Sequence, residues 1–134
     1  MITILDASGA IGVVLGLPEG NLIAEQLNSS NRVIAPELYI SEVTNVFWKY
    51  HQFENLPIEL SEAGIDQAIA LIDEFVGPQE LYKEAFSLAC SAKHSVYDML
   101  YLSLARRNNG LLLTTDNVLK AIAKNYLVRT SAGP

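Results

Sequence analysis

Short apolar strands alternating with amphipathic helices predict an α/β domain built on a mainly parallel sheet. Three observations carry this. Met1–Leu5 is a continuous apolar run with β-branched isoleucines, as in a strand buried on both faces. Arg32-Val33-Ile34-Ala35 and Leu111–Thr114 repeat that kind of run further along the chain. Between them apolar residues recur at helical spacing, as in Val43, Val46, Phe47 and Tyr50.

The elements follow in order. After the first strand Ser8 is expected to cap a helix. Leu17-Pro18-Glu19-Gly20 reads as a turn and Asn21–Ser29 as a short helix. Pro36, just past the second strand, suits the first turn of the helix that carries the Val43 stripe. Asn55-Leu56-Pro57 ends that helix, and Ser61 is expected to cap the next, with Ile65, Ala68, Ile69 and Ile72 on its inner face. Phe75-Val76 before Gly77-Pro78 is a short strand. Gln79–Lys93 and Val96–Asn108 read as helices, the second ended by Asn109-Gly110. Asn117–Asn125 is a helix and Tyr126–Thr130 a last strand. No repeat, low-complexity tract or linker divides the chain, so residues 1–134 form one domain.

Composition narrows the function. Half of the 134 residues are apolar and 18% are charged, which describes a globular chain. One cysteine, Cys90, excludes an internal disulfide and is expected as a small core residue. The apolar stretch from Ala10 to Leu17 has no basic segment before it, and no run approaches the roughly 18 apolar residues of a membrane span. A cytoplasmic protein is expected. The net charge of -6 argues against a broad basic surface for nucleic acid. Residues 1–67 carry nine acidic and two basic side chains, whereas residues 68–134 carry six acidic and seven basic. The basic residues of the second half read as solvated helix faces and chain ends, with a modest RNA-backbone contact from some of them as the alternative.

Four acids stand where strands and helices meet. Asp6 ends the first strand, and Asp116 follows the Leu111–Thr114 strand. In parallel sheets ligands bind beyond the carboxyl ends of the strands, which is where these two would lie. Each also has an ordinary use: Asp6 in a turn, Asp116 as a helix cap. Asp98 stands almost alone in the apolar stretch from Val96 to Ala105, and Ser95-x-x-Asp98 resembles a capping box. A lone carboxylate in a buried helix is costly unless it is paired or binds a metal. Glu42 shares a polar stripe with Asn45 and Lys49, which by itself describes a solvated helix face. Gathered together, four carboxylates would form an all-oxygen site suited to a hard cation. No Gly-rich phosphate loop, Cys/His zinc cluster or Ser/His/Asp arrangement competes with them. His51 and His94 have no metal-binding partner nearby in sequence and are read as surface or boundary residues.

The order Ile4-Leu5-Asp6-Ala7-Ser8, Pro36-x₅-Glu42-x₂-Asn45, Tyr97-Asp98-x₂-Tyr101-x₃-Ala105 and Leu113-Thr114-Thr115-Asp116 resembles a PIN-domain ribonuclease. Within that family it is similar to the small VapC-like toxins of toxin–antitoxin pairs. The resemblance runs the length of the chain. It implies a three-layer α/β/α sandwich with a five-stranded sheet. It also implies a Mg²⁺- or Mn²⁺-dependent endoribonuclease leaving a 5′-phosphate and a 3′-hydroxyl, usually a homodimer blocked by a cognate antitoxin. Asp6, Glu42, Asp98 and Asp116 match the family's acidic positions, with Ser8, Asn45 and Thr114 as polar neighbours. Asp6 and Asp98 are expected closest to the metal and Glu42 to orient or deprotonate water. Asp116 would hold a second ion or a metal-bound water. Some relatives have a further acid shortly after that last position, where Asn117, Val118 and Leu119 supply none.

Two other classes fit parts of the pattern. A non-catalytic PIN scaffold binding RNA or protein would have no need of all four acids. A phospho-acceptor receiver domain would pair acids after the first strand and place a lysine after a late one, and neither is present. If the acids do cluster, mutual repulsion is expected to raise the pKa of at least one of them.

Overall fold

A computed structural model describes residues 1–130. Five strands, β1 (Ile2–Leu5), β2 (Arg32–Pro36), β3 (Glu74–Val76), β4 (Leu111–Leu113) and β5 (Arg129–Thr130), form one parallel sheet in the order β3-β2-β1-β4-β5. The helices are α1 (Ala7–Val14), α2 (Asn21–Asn28), α3 (Leu38–Glu54), α4 (Ile58–Ala70), α5 (Tyr82–Ala92), α6 (Val96–Arg107) and α7 (Asn117–Asn125). β1 is central, with Thr3 paired to Val33 on one side and Leu111 on the other. That position explains its unbroken apolar run, because Ile4 and Leu5 have no exposed surface.

The strand order also sorts the helices. The connections β1–β2–β3 step one way along the sheet, and those leading to β4 and β5 step the other way. Parallel crossovers are right-handed, so α1–α4 cover one face and α5–α7 the opposite face. α1, α3 and α4 pack together, while α6 lies across β1, β2 and β4 with α5 upon it. This is a three-layer α/β/α sandwich. The chain reverses direction between β1 and β4, and the carboxyl ends of those two strands open a crevice.

The stripe on α3 faces inward as its spacing predicts: Val43 and Phe47 are fully buried, and Val46 and Tyr50 are partly so. The hydroxyl of Tyr39 donates to the carbonyl of Ala68 at 2.6 Å and ties α3 to α4. α6 is buried from Met99 through Ala105, so its lack of amphipathicity reflects a helix enclosed on nearly all sides. It ends in a Schellman turn. Asn109 takes the left-handed conformation (φ 48°), Gly110 N–H donates to Ala105 and Asn109 N–H to Arg106.

Several local expectations are corrected. Pro36 is the last residue of β2, paired with Val76, and α3 begins only at Leu38. Asp6 rather than Ser8 caps α1. α4 starts at Ile58, so Ser61 lies inside it and its hydroxyl donates to the Pro57 carbonyl at 3.0 Å. The segment after β3 opens with a 3-10 turn, Pro78–Glu80, before α5. Only Arg129–Thr130 of the last predicted strand pairs, because Leu127 adopts a left-handed conformation just before it. Cys90 is exposed on α5. No single helix is long and apolar enough to cross a membrane.

One glycine contact is indispensable to the α1 layer. A Cβ on Gly20 would sit 2.2 Å from the carbonyl oxygen of Gly12, and backbone cannot give way as a flexible side chain can. Gly20 itself has φ -85°, so space and not conformation demands glycine. Gly20→Ala is therefore expected to destabilise the fold by about 1–3 kcal/mol, as overpacking of a tight contact does. Urea denaturation measures this, and an unchanged midpoint would mean that the Gly12–Gly20 crossing can open freely.

Candidate active site

The site begins with Asp6, the first residue beyond β1. Its extended backbone (φ -93°, ψ 171°) turns the chain out of the sheet, and its carboxylate caps α1. Oδ1 accepts from the Gly9 N–H at 2.9 Å and the Ser8 hydroxyl at 2.8 Å, and Oδ2 accepts from the Thr114 hydroxyl. The Asp6 N–H donates to the Leu113 carbonyl at 3.2 Å. Ser8 in turn accepts the Thr115 N–H at 3.1 Å, and Thr114 accepts the Asp116 N–H at 3.0 Å. These bonds lace the end of β1 to the end of β4. They fix Asp116 as the cap of α7, its Oδ1 accepting from Val118 and Leu119 at 2.9 and 3.2 Å.

The other two acids come from the helical layers. Glu42, on the first turns of α3, accepts the Tyr101 hydroxyl of α6 at 2.6 Å. This bond joins the two layers beyond the carboxyl ends of the strands. Asp98, on the first turn of α6, is bonded at 2.6 Å to His94 Nε2. The capping box does not form. Ser95 accepts from the Tyr97 N–H and the Asp98 carboxylate turns to His94 instead. Nor is Asp98 buried: its side chain keeps 28% of its exposure. The i, i+4 spacing of His94 and Asp98 is the sequence signal for this pair, which metal-ligand spacing alone does not bring out. Tyr101 was likewise visible only as part of a motif.

Asp6, Ser8, Glu42, Asn45, Asp98 and Asp116 all line one cleft of about 320 Å³. Thr114 supports it from behind, fully buried. The polar stripe on α3 points into this cleft, since Lys49 lines it along with Glu42 and Asn45. Lys49 is the one basic side chain among the lining residues.

That charge imbalance has consequences for protonation. Asp6 is pushed up to about 6, chiefly because burial disfavours its anion. The hydrogen bonds from Thr114, Gly9 and Ser8 oppose the rise, and the Glu42 charge adds a little to it. Glu42 is also raised, again first by burial, with the Tyr101 hydrogen bond opposing and the Asp98 charge adding. Tyr101 is held above the ordinary phenol range by burial and by Glu42, so it remains a donor. The expected mutual repulsion is present, but burial outweighs it.

The donors suit a hard divalent cation. They are all oxygen, two of the carboxyls are held above their ordinary range, and little positive charge lies nearby. Among the described residues, no three His, Cys, Asp or Glu side chains converge tightly enough to chelate one ion together. Mg²⁺ does not require this. It is commonly held by one or two carboxylates and keeps several waters. Glu42 Oε2, Asp98 Oδ1 and Asp116 Oδ2 accept no hydrogen bond among the described residues and are free to take such a shell.

Because the folded state holds the Asp6 proton more tightly than the unfolded chain, the sign of the pH effect is set. Its stabilising contribution is full below the ordinary value of 3.8 and is lost as pH rises through about 6. The loss is on the order of 3 kcal/mol. Asp6→Asn keeps the acceptor for Ser8 and Gly9 without the charge. In EDTA it is expected to flatten this dependence and to melt above wild type at neutral pH. Thermal melts from pH 4 to 8 check this, and a variant that melts lower with an unchanged pH slope would refute it.

Comparison with known proteins agrees with this architecture. The chain is similar in fold to the crystal structure of PAE2754 from Pyrobaculum aerophilum, with a TM-score of 0.74 at 16% sequence identity. The match covers 98% of this chain and 90% of the other. No curated protein matches the chain in sequence. The PIN domain family matches residues 3–125, from β1 to the end of α7. That span takes in all four acids, and the chain belongs to the PIN domain family, whose members are generally metal-dependent nucleases.

Proposed function

We propose that this PIN domain is a Mg²⁺- or Mn²⁺-dependent endoribonuclease and the toxin of a toxin–antitoxin pair. The observation that carries the nuclease reading is the meeting of four carboxylates from four separate segments in one cleft at the strand-order reversal. As caps and surface groups alone, they would have no reason to share it.

Asp6 and Asp98 are the residues that would hold the cation, and Asp116 would hold a second ion or a metal-bound water, so no single ion needs three carboxylates. When bound, the cation supplies Lewis-acid polarisation of a phosphoryl oxygen and lowers the pKa of an attacking water. The chain's own groups do the rest. The bonds from Ser8, Gly9 and Thr114 hold Asp6 in one orientation, so its carboxylate needs little reorganisation. Glu42, its pKa raised chiefly by burial and its carboxylate steered by Tyr101, is the group placed to orient a water and accept its proton. His94 fixes the Asp98 rotamer from behind. Asn45 and Lys49 offer donors to the phosphate along the same wall, with Lys49 countering its charge.

The partner reading rests on the outer side of α3. Trp48 is half exposed and meets the exposed Phe53 edge-on at 5.7 Å. Such an aromatic pair outside the core suits an antitoxin or a second copy of the chain. Sedimentation should show a dimer that Trp48→Ala weakens, and a strict monomer at high concentration would remove the homodimer.

For catalysis, purified protein should cleave RNA with Mg²⁺ or Mn²⁺ and fall silent in EDTA. Asp98→Asn should keep the fold and lose at least about a hundredfold in rate, as loss of metal placement does. Metal binding separates this from a non-catalytic scaffold. Mg²⁺ should raise the melting temperature of wild type and do so less for Asp116→Asn. If Asp98→Asn cleaves like wild type, the site is misassigned.

A further inference from the structure

A second hollow of about 350 Å³ adjoins the acidic cleft at the carboxyl end of β2. The two share their walls in sequence: Tyr97 precedes Asp98, Ser41 precedes Glu42, and Leu100 precedes Tyr101. Pro36, Pro78 and Leu100 make its apolar sides. Its polar groups are Tyr97, Glu37 and Ser41.

Those three are unusual in having nothing to do. Tyr97 is 64% exposed although its neighbours Met99 to Ala105 are buried, and among the described residues its ring meets no other ring. Among the described residues, the Tyr97 hydroxyl, the Glu37 carboxylate and the Ser41 hydroxyl make no hydrogen bond. An exposed ring in a concave apolar hollow is a stacking platform, and every nucleobase has a flat face to lay against it. The occupant is not an anion, because Glu37 and the nearby Asp98 and Glu42 would repel one, and the flat apolar face suits a neutral base. Continuity with the cleft supplies the rest: a phosphodiester placed among the acids carries its flanking nucleotide within reach of this hollow.

We propose that this hollow is a nucleobase subsite, in which a base flanking the scissile phosphate stacks on Tyr97 and donates its N–H groups to Glu37. The inference rests on the ribonuclease reading above. An ionised carboxylate only accepts, so it favours bases that offer adjacent donors. Guanine presents N1–H and its amino group side by side and is the preferred occupant. Uracil, with one N–H between two carbonyls, is the poorest.

Titration of the full chain with the four free nucleosides in metal-free buffer, followed by amide NMR, tests the subsite without requiring cleavage. Guanosine should shift the amides of Glu37, Ser41, Tyr97 and Leu100 most strongly and uridine least. Tyr97→Ala should weaken this binding about tenfold, the scale of one lost base–aromatic stack, and Glu37→Gln should level the preference. Both side chains are exposed, so both variants should melt with wild type. In RNA cleavage, Tyr97→Ala should raise KM and Glu37→Gln should change the bases beside the cut while kcat holds. Absent shifts at those amides, or variants with wild-type binding and cut sites, would overturn the subsite even if RNA is cleaved. Nucleosides that seat as described on a protein that cleaves no RNA would overturn the endoribonuclease reading and retain the subsite.

Discussion

The carboxylate of Asp6 must be kept, largely dehydrated, at the point where the carboxyl ends of β1 and β4 come together. Much of the rest of the structure serves that requirement. A buried carboxyl without partners would cost several kcal/mol. Here one oxygen takes the Gly9 N–H and the Ser8 hydroxyl while the other takes the Thr114 hydroxyl. The donors come from both sides of the crevice, so satisfying Asp6 also fixes the spacing of the two loops. Through Ser8 and Thr114 the same bonds reach the backbone of Thr115 and Asp116, and so the start of α7. The site's most buried acid is therefore also a structural joint. Its satisfaction remains incomplete as a charge, and its raised pKa records that deficit.

A second joint spans the layers. Tyr101 reaches from α6 to Glu42 on α3, beyond the carboxyl ends of the central strands. The hydroxyl is buried and keeps its proton, so the bond is one-directional: it steers the glutamate without competing for its proton. His94, in the turn between α5 and α6, plays the corresponding part for Asp98 on the first turn of α6. The four acids thus have four different supports: a helix cap with two hydroxyls, a tyrosine, a histidine, and a second helix cap. Capping and function are not alternatives here. Asp6 and Asp116 cap α1 and α7, and this is what aims them at the cleft.

The distribution of charge fits the same picture. The acidic first half of the chain supplies Asp6 and Glu42 to the cleft, and Lys49 is the one basic residue lining it. Such an imbalance is unfavourable for a stable apo fold and favourable for a site that takes a cation. Regions of purely structural duty look different. Arg32 pairs with Glu74 at the opposite end of the sheet, and Arg106 pairs with Glu84 and lies over Tyr126 between α6 and α7. The three arginines of the second half, Arg106, Arg107 and Arg129, are engaged in bonds to neighbouring segments.

By itself the sequence determined the alternation of strands and helices and the burial of β1, β2 and β4, because a strand covered on both faces can only be written as a continuous apolar run. It also determined the candidate acids, since order and spacing along the chain survive folding. Local readings failed where two residues competed for one local duty. Ser8 could cap α1 and so could Asp6. The contest was settled by Thr114, over a hundred positions away, which with Ser8 completes the shell around Asp6. The Ser95-x-x-Asp98 box was displaced by His94, and Pro36 was drawn into β2 by pairing with Val76. Tertiary structure alone decided that Glu42, Asn45 and Lys49 face a cleft and not solvent. It also decided that Tyr101 serves Glu42 and that Tyr97 stands free beside the site. Periodicity says which residues share a face, but what that face meets depends on an element that comes from elsewhere in the chain.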